Sequence, residues 1–155
     1  MIIEKCVKSS FAVIGKEGST RNGPGFVQLL WQEANSHFDE VVHLAKRNEQ
    51  GNFAGFWGAM TDFSFSFLPW ENDFSQGLYL AGVECGEDAQ PPAGWTKWII
   101  PGFEYLRVAC DRENVFAEMI AHLAANQIPL AGAVHDFTCP TTGQNYMYFP
   151  IKRLD

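Results

Sequence analysis

The sequence predicts an α+β fold made of two pseudo-symmetric β-α-β-β repeats. In each half of the chain, an extended apolar segment runs into a capped amphipathic helix, and two more strand-like segments rich in aromatic residues follow. Two such units can build one curved antiparallel sheet that carries both helices on one face. The groove between the two helices is then a natural place for a small ligand.

The chain of 155 residues predicts a single domain, 1–155, with repeats at about 1–85 and 95–155. In the first repeat, a strand over 1–16 bends near 8–10. A helix is predicted to begin at Pro24, which fits a first helical turn, and to end by about Asn48. Strands over 52–62 and 77–84 complete the repeat, and the acidic, proline-rich loop 86–94 forms the boundary.

The second repeat is predicted to begin with strands over 95–100 and 104–109. Asp111 is expected to cap the next helix, because its carboxylate can accept hydrogen bonds from the first free backbone N–H groups. Apolar residues at helical spacing follow from Val115 to Leu123, and Pro129 prevents the helix from continuing. Strands over 131–138 and 146–152 close the repeat.

Composition argues against several classes of partner. A net charge of −7 disfavours both nucleic acid and anionic membrane surfaces, because each is bound through Lys and Arg. The four cysteines are scattered with no Cys-x-x-Cys pair, and no secretory signal precedes the first strand. We therefore expect reduced thiols in a cytoplasmic protein, with no metal site and no cofactor. The sequence leaves a homodimer open.

Several segments, in the same order along nearly the whole chain, resemble the GyrI-like effector-binding domains, also called AraC-type effector-binding domains. These segments are FAVIGKEG (11–18), LWQE (30–33), GFWGAMTD (55–62), LYLAGVE (78–84) and IPGFEY (100–105). Such domains are the ligand-binding modules of bacterial multidrug-responsive transcription regulators, and they also occur as stand-alone proteins. The resemblance implies a pocket between the helices that binds hydrophobic, often cationic compounds.

One departure from the family pattern concerns the charge of the pocket. In this family the final strand commonly carries a buried glutamate that faces the positive charge of the ligand, and the matching position here is Tyr146. Among the acids on strand-like segments, Glu84 and Glu104 are the alternatives that we consider for this role.

Aromatic and acidic residues together predict a site for a flat organic cation. A cation over an aromatic face gains roughly 0.5–2 kcal/mol, most where water is excluded. A nearby carboxylate adds charge complementarity. The residues expected to bind the ligand are Trp31, Trp57, Phe67, Trp70, Tyr79, Glu84, Glu104, Tyr105, Tyr146 and Tyr148.

The aromatic-rich segment 63–74 has three interpretations. It is either a lid over the pocket, a hydrophobic loop packed on the domain, or a contact between protein molecules.

The leading functional hypothesis is a stand-alone small-molecule binding protein for hydrophobic, cationic aromatic compounds. No nucleophile elbow, phosphate-binding glycine loop or His-Glu-x-x-His motif indicates an enzyme, and no catalytic residue is assigned. Some stand-alone relatives are thought to hydrolyse small reactive electrophiles, so a hydrolase with a pocket glutamate is one alternative. A protein-interaction module that docks a partner through segment 63–74 is the other.

Overall fold

The computed structural model describes residues 1–154 and shows an α+β domain with one eight-stranded antiparallel sheet. The strands are β1 (Ile3–Lys8), β2 (Phe11–Ser19), β3 (Phe56–Thr61), β4 (Leu78–Cys85), β5 (Thr96–Ile100), β6 (Phe103–Ala109), β7 (His135–Thr138) and β8 (Asn145–Arg153). The helices are α1 (Phe26–His37), the single turn α2 (Glu71–Phe74) and α3 (Val115–Ala125).

The strand order confirms the two predicted β-α-β-β repeats. The order is β1-β6-β8-β7-β3-β4-β2-β5, so the units β2-α1-β3-β4 and β6-α3-β7-β8 meet where β3 pairs with β7. Each unit also has a leading strand, and these two strands are exchanged. Strand β1 adds to β6 of the second repeat, and β5 adds to β2 of the first. The exchange ties the repeats together at both edges of the sheet.

The sheet is strongly curved, because its two edges are joined by a very short connection. Only Ser9 and Ser10 separate β1, at one edge, from β2, which lies next to the other edge. Three Cα steps span at most about 11 Å, so the sheet must curl until these edges approach each other. The predicted bend near 8–10 is therefore the point at which the chain crosses between edges.

The concave side of the sheet, here called the inner face, is filled by the protein itself. Its side chains form one packed cluster in which rings from four strands touch. The buried members are Phe11, Val13, Trp57, Ala59, Leu80, Trp98, Ile100, Phe103, Tyr105 and Tyr148. A second layer of core covers the other side, here called the helix face.

On the helix face, each helix packs on the sheet of its own repeat. Helix α1 buries Ala34 against β2 and β4, and α3 buries Val115, Met119 and Leu123 against residues of β6 and β8. Both helices follow the amphipathic spacing that the sequence predicts. Because α1 lies over β2 and β4 and α3 lies over β6 and β8, the central pair β3 and β7 remains between the helices.

The predicted extent of the first helix is wrong. Helix α1 ends at His37, and two 3₁₀ turns follow over Phe38–Glu40 and Val42–Leu44. These tighter turns bury Val41 completely and bring Ala45 into a bridge with Cys85. The apolar spacing continues past His37 although the backbone no longer follows an α-helix, so periodicity alone overextends the helix.

Other predicted boundaries also need correction. Asp111 does not cap α3, which begins at Val115 after Asn114 in a left-handed conformation, and the Asp111 carboxylate accepts from Arg112 Nε at 3.4 Å instead. The strand predicted over 52–62 begins only at Phe56, and the strand predicted over 131–138 begins only at His135. In the described residues, none of the helices has the length and apolar character needed to cross a membrane.

Candidate functional site

A groove runs along the centre of the helix face, between α1 and α3. Its floor consists of alternate residues of the two central strands, which pair as Phe56 with Thr138 and Gly58 with Asp136. Continuing the same alternation, Met60 and Val134 extend the floor in one direction. We call this feature the central groove.

Polar groups meet in the middle of the central groove because one floor position has no side chain. A Cβ at residue 58 would overlap the Tyr79 hydroxyl and lie 3.2 Å from Asp136 Oδ2. Glycine at this position therefore lets both polar groups reach over β3. The cavity of about 270 Å³ at this point is lined by Trp31, Gly58, Tyr79, Cys110, Asp136, Phe137, Thr138, Asn145 and Tyr146.

Three polar groups meet in this cavity. Trp31 Nε1, from α1, donates to the Tyr79 hydroxyl at 2.9 Å, and that hydroxyl donates to Asp136 Oδ2 at 3.4 Å. The ring of Tyr79 is fixed in the core, since only 2% of the residue is exposed. The Phe26 ring of α1 lies nearly perpendicular to it, at a centroid distance of 6.4 Å. The Tyr79 hydroxyl thus links Trp31 of α1 to the Asp136 carboxylate of β7.

The Asp136 carboxylate is half-buried, and its ionised form is poorly solvated. Burial raises the pKa of Asp136 to about 6, and the hydrogen bond from Tyr79 offsets part of that rise. Burial, and next the charge of Asp136, raise the pKa of Tyr79, so this phenol stays protonated as a donor. Within residues 1–154, no Lys, Arg or His forms an ion pair with Asp136. A cation entering the groove would therefore meet an unmatched carboxylate.

Smaller polar groups complete the wall opposite Trp31. Thr138 Oγ1 donates to Asn145 Oδ1 at 2.7 Å, which links the ends of β7 and β8. The Cys110 thiol lies in the same cavity, and its pKa is raised by burial and by the charges of Asp136 and Asp111. A raised pKa keeps this thiol in its neutral form, so it contributes a polarisable apolar surface to the wall.

Four of the ten residues predicted to bind a ligand lie along the central groove. Trp31, Tyr79 and Tyr146 border the cavity around Asp136, while Trp70 borders a second cavity toward Met60. Tyr146 also stacks near Phe137, at a centroid distance of 6.2 Å. The structure therefore brings together aromatic residues from both repeats.

Two other predicted residues meet on the inner face. Glu84 is 3% exposed, accepts from Trp57 Nε1 at 3.0 Å and pairs with Lys8 Nζ at 3.2 Å. The Lys8 ammonium also lies 4.5 Å from the ring centroid of Phe11 and 5.7 Å from that of Trp57. Aromatic faces and a carboxylate do surround a cation here, but that cation belongs to the protein.

The remaining predicted residues lie away from the central groove. Tyr105 and Tyr148 pack against each other in the cluster on the inner face. Phe67 packs against the same cluster and contacts Trp98. Glu104 lies at the β1 edge, where Lys5 pairs with it at 3.5 Å.

The segment 63–74 touches both faces of the sheet. Its beginning packs toward the inner cluster, with Phe65 5.7 Å from Trp98 between ring centroids. Its end turns to the helix face, where Phe74 meets Phe116 of α3 at 5.2 Å. A hydrogen bond of 2.9 Å from Trp70 Nε1 to the Leu78 carbonyl fixes the stretch between them.

Sequence reasoning missed Asp136. The predicted strand over 131–138 contains this acid, and alternation places it on the face opposite His135 and Phe137. His135 does lie on the inner side, where its Nδ1 accepts from the Met60 N–H at 3.1 Å and burial lowers its pKa to about 3. The only acid in the predicted strand over 131–138 was the signal that could have identified the site.

Among the described residues, no three His, Cys, Asp or Glu side chains gather in a way that could hold a metal ion. The groove instead offers one carboxylate, aromatic rings and neutral hydrogen-bonding groups. This combination is suited to reversible binding of an organic cation.

Comparison with solved structures shows the same fold at low sequence identity. The structure of SAV2435 bound to tetraphenylphosphonium matches with a TM-score of 0.65 and 15% identity, covering 98% of this chain and 94% of that one. The EcmrR C-terminal domain matches with a TM-score of 0.62 and 10% identity, covering 99% and 100%. In a cryo-EM structure of an EcmrR–DNA complex, the match has a TM-score of 0.65 and 10% identity, and it covers 99% of this chain and 59% of that one.

The chain has the same fold as SAV2435 and the EcmrR C-terminal domain. The resemblance expected from the sequence is thus confirmed at the level of architecture. No protein-family model matches the sequence, and no curated protein matches it.

Proposed function

We propose that this chain reversibly binds small, hydrophobic organic cations in the central groove, as an effector-binding module. The observation that carries the proposal is the half-buried Asp136 carboxylate, which lines the same cavity as Trp31, accepts a hydrogen bond from Tyr79 and has no basic partner in residues 1–154. A bound cation would neutralise the Asp136 carboxylate and replace the stabilisation by water that burial removes.

The aromatic neighbours support the choice of an organic cation over a metal ion. Trp31 and Tyr146 are partly exposed and border the cavity, and each cation–ring contact gains roughly 0.5–2 kcal/mol. The Tyr79 ring is buried, so Tyr79 offers its hydroxyl, and the Arg107 guanidinium already lies 4.6 Å from the Tyr146 ring centroid. Together with the carboxylate and apolar burial, one or two such contacts support micromolar affinity, about 8 kcal/mol. The neighbour SAV2435 was solved with tetraphenylphosphonium, a guest of this chemical class.

The proposal is tested with two guests that share shape and differ in the sign of their charge. Tetraphenylphosphonium and tetraphenylborate are titrated into the protein by calorimetry at pH 7.5, with tryptophan fluorescence as a second readout. We expect the cation to bind and the anion to bind at least about tenfold more weakly, because Asp136 attracts one and repels the other. Equal affinity for the two ions would contradict the proposal.

A variant and its matched control locate the binding site. Asp136→Asn keeps the size of the side chain and its ability to accept from Tyr79, but it removes the charge. We expect it to reduce the affinity for tetraphenylphosphonium by about tenfold. Asp39→Asn removes a carboxylate that is exposed on the surface, so the affinity should not change. Loss of binding in both variants, or in neither, would reject Asp136 as the counter-charge.

One observation favours hydrolysis of a small electrophile as a second candidate function. A carboxylate with a pKa of about 6 is close to the value that suits a general base near neutral pH, and Asp136 lies beside the Tyr79 phenol. Turnover of a small epoxide that disappears in Asp136→Asn would establish this activity. Recovery of the intact epoxide after prolonged incubation with the parent protein would leave binding alone.

A further inference from the structure

The central groove continues beyond Asp136 into an apolar cavity that the binding of a cation alone does not use. This cavity, of about 220 Å³, is lined by Met60, Pro69, Trp70, Phe74, Phe116 and Val134. We call it the apolar chamber. It contains no charged residue, whereas the neighbouring cavity contains Asp136.

The two cavities share the floor of the groove. Gly58 and Met60 are alternate residues of β3, and Asp136 and Val134 are separated by one residue along β7 and the segment before it. Two residues of extended chain span about 7 Å. The chamber is therefore centred roughly that distance from the carboxylate.

Together, the two cavities have the volume of one ordinary site for a small organic ligand. At about 270 Å³ and about 220 Å³, each lies below the roughly 300 Å³ at which pockets for small organic ligands usually begin. Taken together they fall within the usual range. Met60 lines the apolar chamber two residues along β3 from Gly58, and its unbranched side chain adapts easily to its neighbours.

The walls of the chamber come from two independent parts of the chain. Phe116 projects from α3, and Phe74 meets it with an edge-to-face contact at 5.2 Å. Trp70 is fixed by its hydrogen bond to the Leu78 carbonyl at 2.9 Å. These rings present aromatic surface to a ligand in the apolar chamber, and such a surface favours a flat apolar group over a polar one.

We infer that the preferred guests are elongated monocations, with a cationic group at Asp136 and an aromatic group about 7 Å away in the apolar chamber. The inference rests on the proposed function, since it assumes a cation at Asp136. It adds a rule on ligand length. Phenyltrimethylammonium, whose ring is attached directly to the nitrogen, should bind more weakly than its longer analogues, and a second charge at the far end should abolish the advantage of length.

A series of phenylalkyl-trimethylammonium ions, with zero to six methylene groups between nitrogen and ring, tests the inference by calorimetry. We expect the affinity to peak at about three or four methylene groups, at least about tenfold above phenyltrimethylammonium, because that length places the ring in the chamber. Affinity that is the same for all members, or that rises steadily to the longest, would overturn the inference.

Two variants of α3 connect the length optimum to the chamber. Phe116→Ala removes a chamber wall and should abolish the optimum while leaving phenyltrimethylammonium unchanged. Ile120→Ala shortens an apolar side chain one turn along the same helix, outside the chamber, and should keep the optimum. An optimum that persists in Phe116→Ala would overturn the chamber assignment.

The same experiment separates failure of this inference from failure of the proposed function. If short and long cations bind equally, and binding still depends on Asp136, the proposed function stands and the length rule is overturned. If no member of the series and no tetraphenylphosphonium binds, both are overturned. The length series on the parent protein decides the question even where a variant fails to fold.

Discussion

The Tyr79 hydroxyl donates a long hydrogen bond, 3.4 Å, to Asp136 across the space above Gly58. The two residues come from different repeats, since Tyr79 lies on β4 and Asp136 on β7. Their contact forms where the repeats meet, so the polar centre of the groove depends on the pairing of β3 with β7.

Affinity for a cation should rise with pH through the titration of Asp136. The pKa of this carboxyl is raised to about 6 by burial, so it is mostly neutral at pH 5 and ionised at pH 8. If the ionised form binds the cation, the affinity for tetraphenylphosphonium should increase about tenfold between these values. Calorimetry across this range measures the effect, and Asp136→Asn should remove it. An affinity that stays constant in the parent protein would contradict the assignment.

Asp136→Asn should stabilise the ligand-free protein above pH 6. The folded-state pKa of Asp136 lies above its unfolded value, so its contribution to stability is present below about pH 4 and is lost as the pH rises through about 6. Allowing for water in the groove, we expect the variant to gain about 1–2 kcal/mol at pH 7.5 and little at pH 4. Urea unfolding at both values measures the difference. A variant that is less stable than the parent at pH 7.5 would oppose this account.

Gly58→Ala should disrupt the cavity around Asp136. The added Cβ would overlap the Tyr79 hydroxyl and come within 3.2 Å of Asp136 Oδ2, so the Tyr79 ring must move. We expect a loss of about 1–3 kcal/mol in the free energy of unfolding, together with loss of cation binding. Tyr79→Phe is the comparison variant. It also removes the hydrogen bond to Asp136 but keeps the ring in place, so it separates loss of that bond from displacement of the ring. Parental affinity in Gly58→Ala would show that the guest binds elsewhere.

The fold was largely predictable because its signals are periodic. Both repeats show an extended apolar segment followed by an amphipathic helix, and this order fixes one sheet with two helices on one face. The exchange of β1 and β5 between repeats was not predictable. Edge pairing depends on how the sheet curls, and the two residues Ser9 and Ser10 impose that curl only in three dimensions.

The ligand-facing side of each strand was harder to predict, because both faces of this sheet are covered. On β3, Phe56 and Met60 point to the helix face while Trp57 points to the inner face, and all three are apolar. Alternation therefore gives no contrast that separates groove from core. The expectation of aromatic rings around a carboxylate describes both Asp136 and Glu84, and the sequence contains no indication that Lys8 lies beside Glu84.

Glu84→Gln should destabilise the protein without changing cation binding in the groove. Glu84 is buried on the inner face, where it pairs with Lys8 at 3.2 Å and accepts from Trp57 at 3.0 Å. Removing its charge leaves the ammonium without a partner, so we expect a loss of about 1–3 kcal/mol. Urea unfolding and calorimetry with tetraphenylphosphonium measure the two effects separately. The double variant Lys8→Met with Glu84→Gln should recover part of the stability. A well-folded Glu84→Gln protein that fails to bind would place the cation site on the inner face.

The most direct test of a cation site at Asp136 is the titration of its own carboxyl group. Carbon NMR of the side-chain carboxyls, assigned with Asp136→Asn, follows this group from pH 3 to pH 9 with and without tetraphenylphosphonium. The account predicts a pKa of about 6 in the free protein and a clearly lower pKa when the cation is bound, because the bound charge stabilises the ionised form. The same titration curve with and without a saturating cation would contradict it.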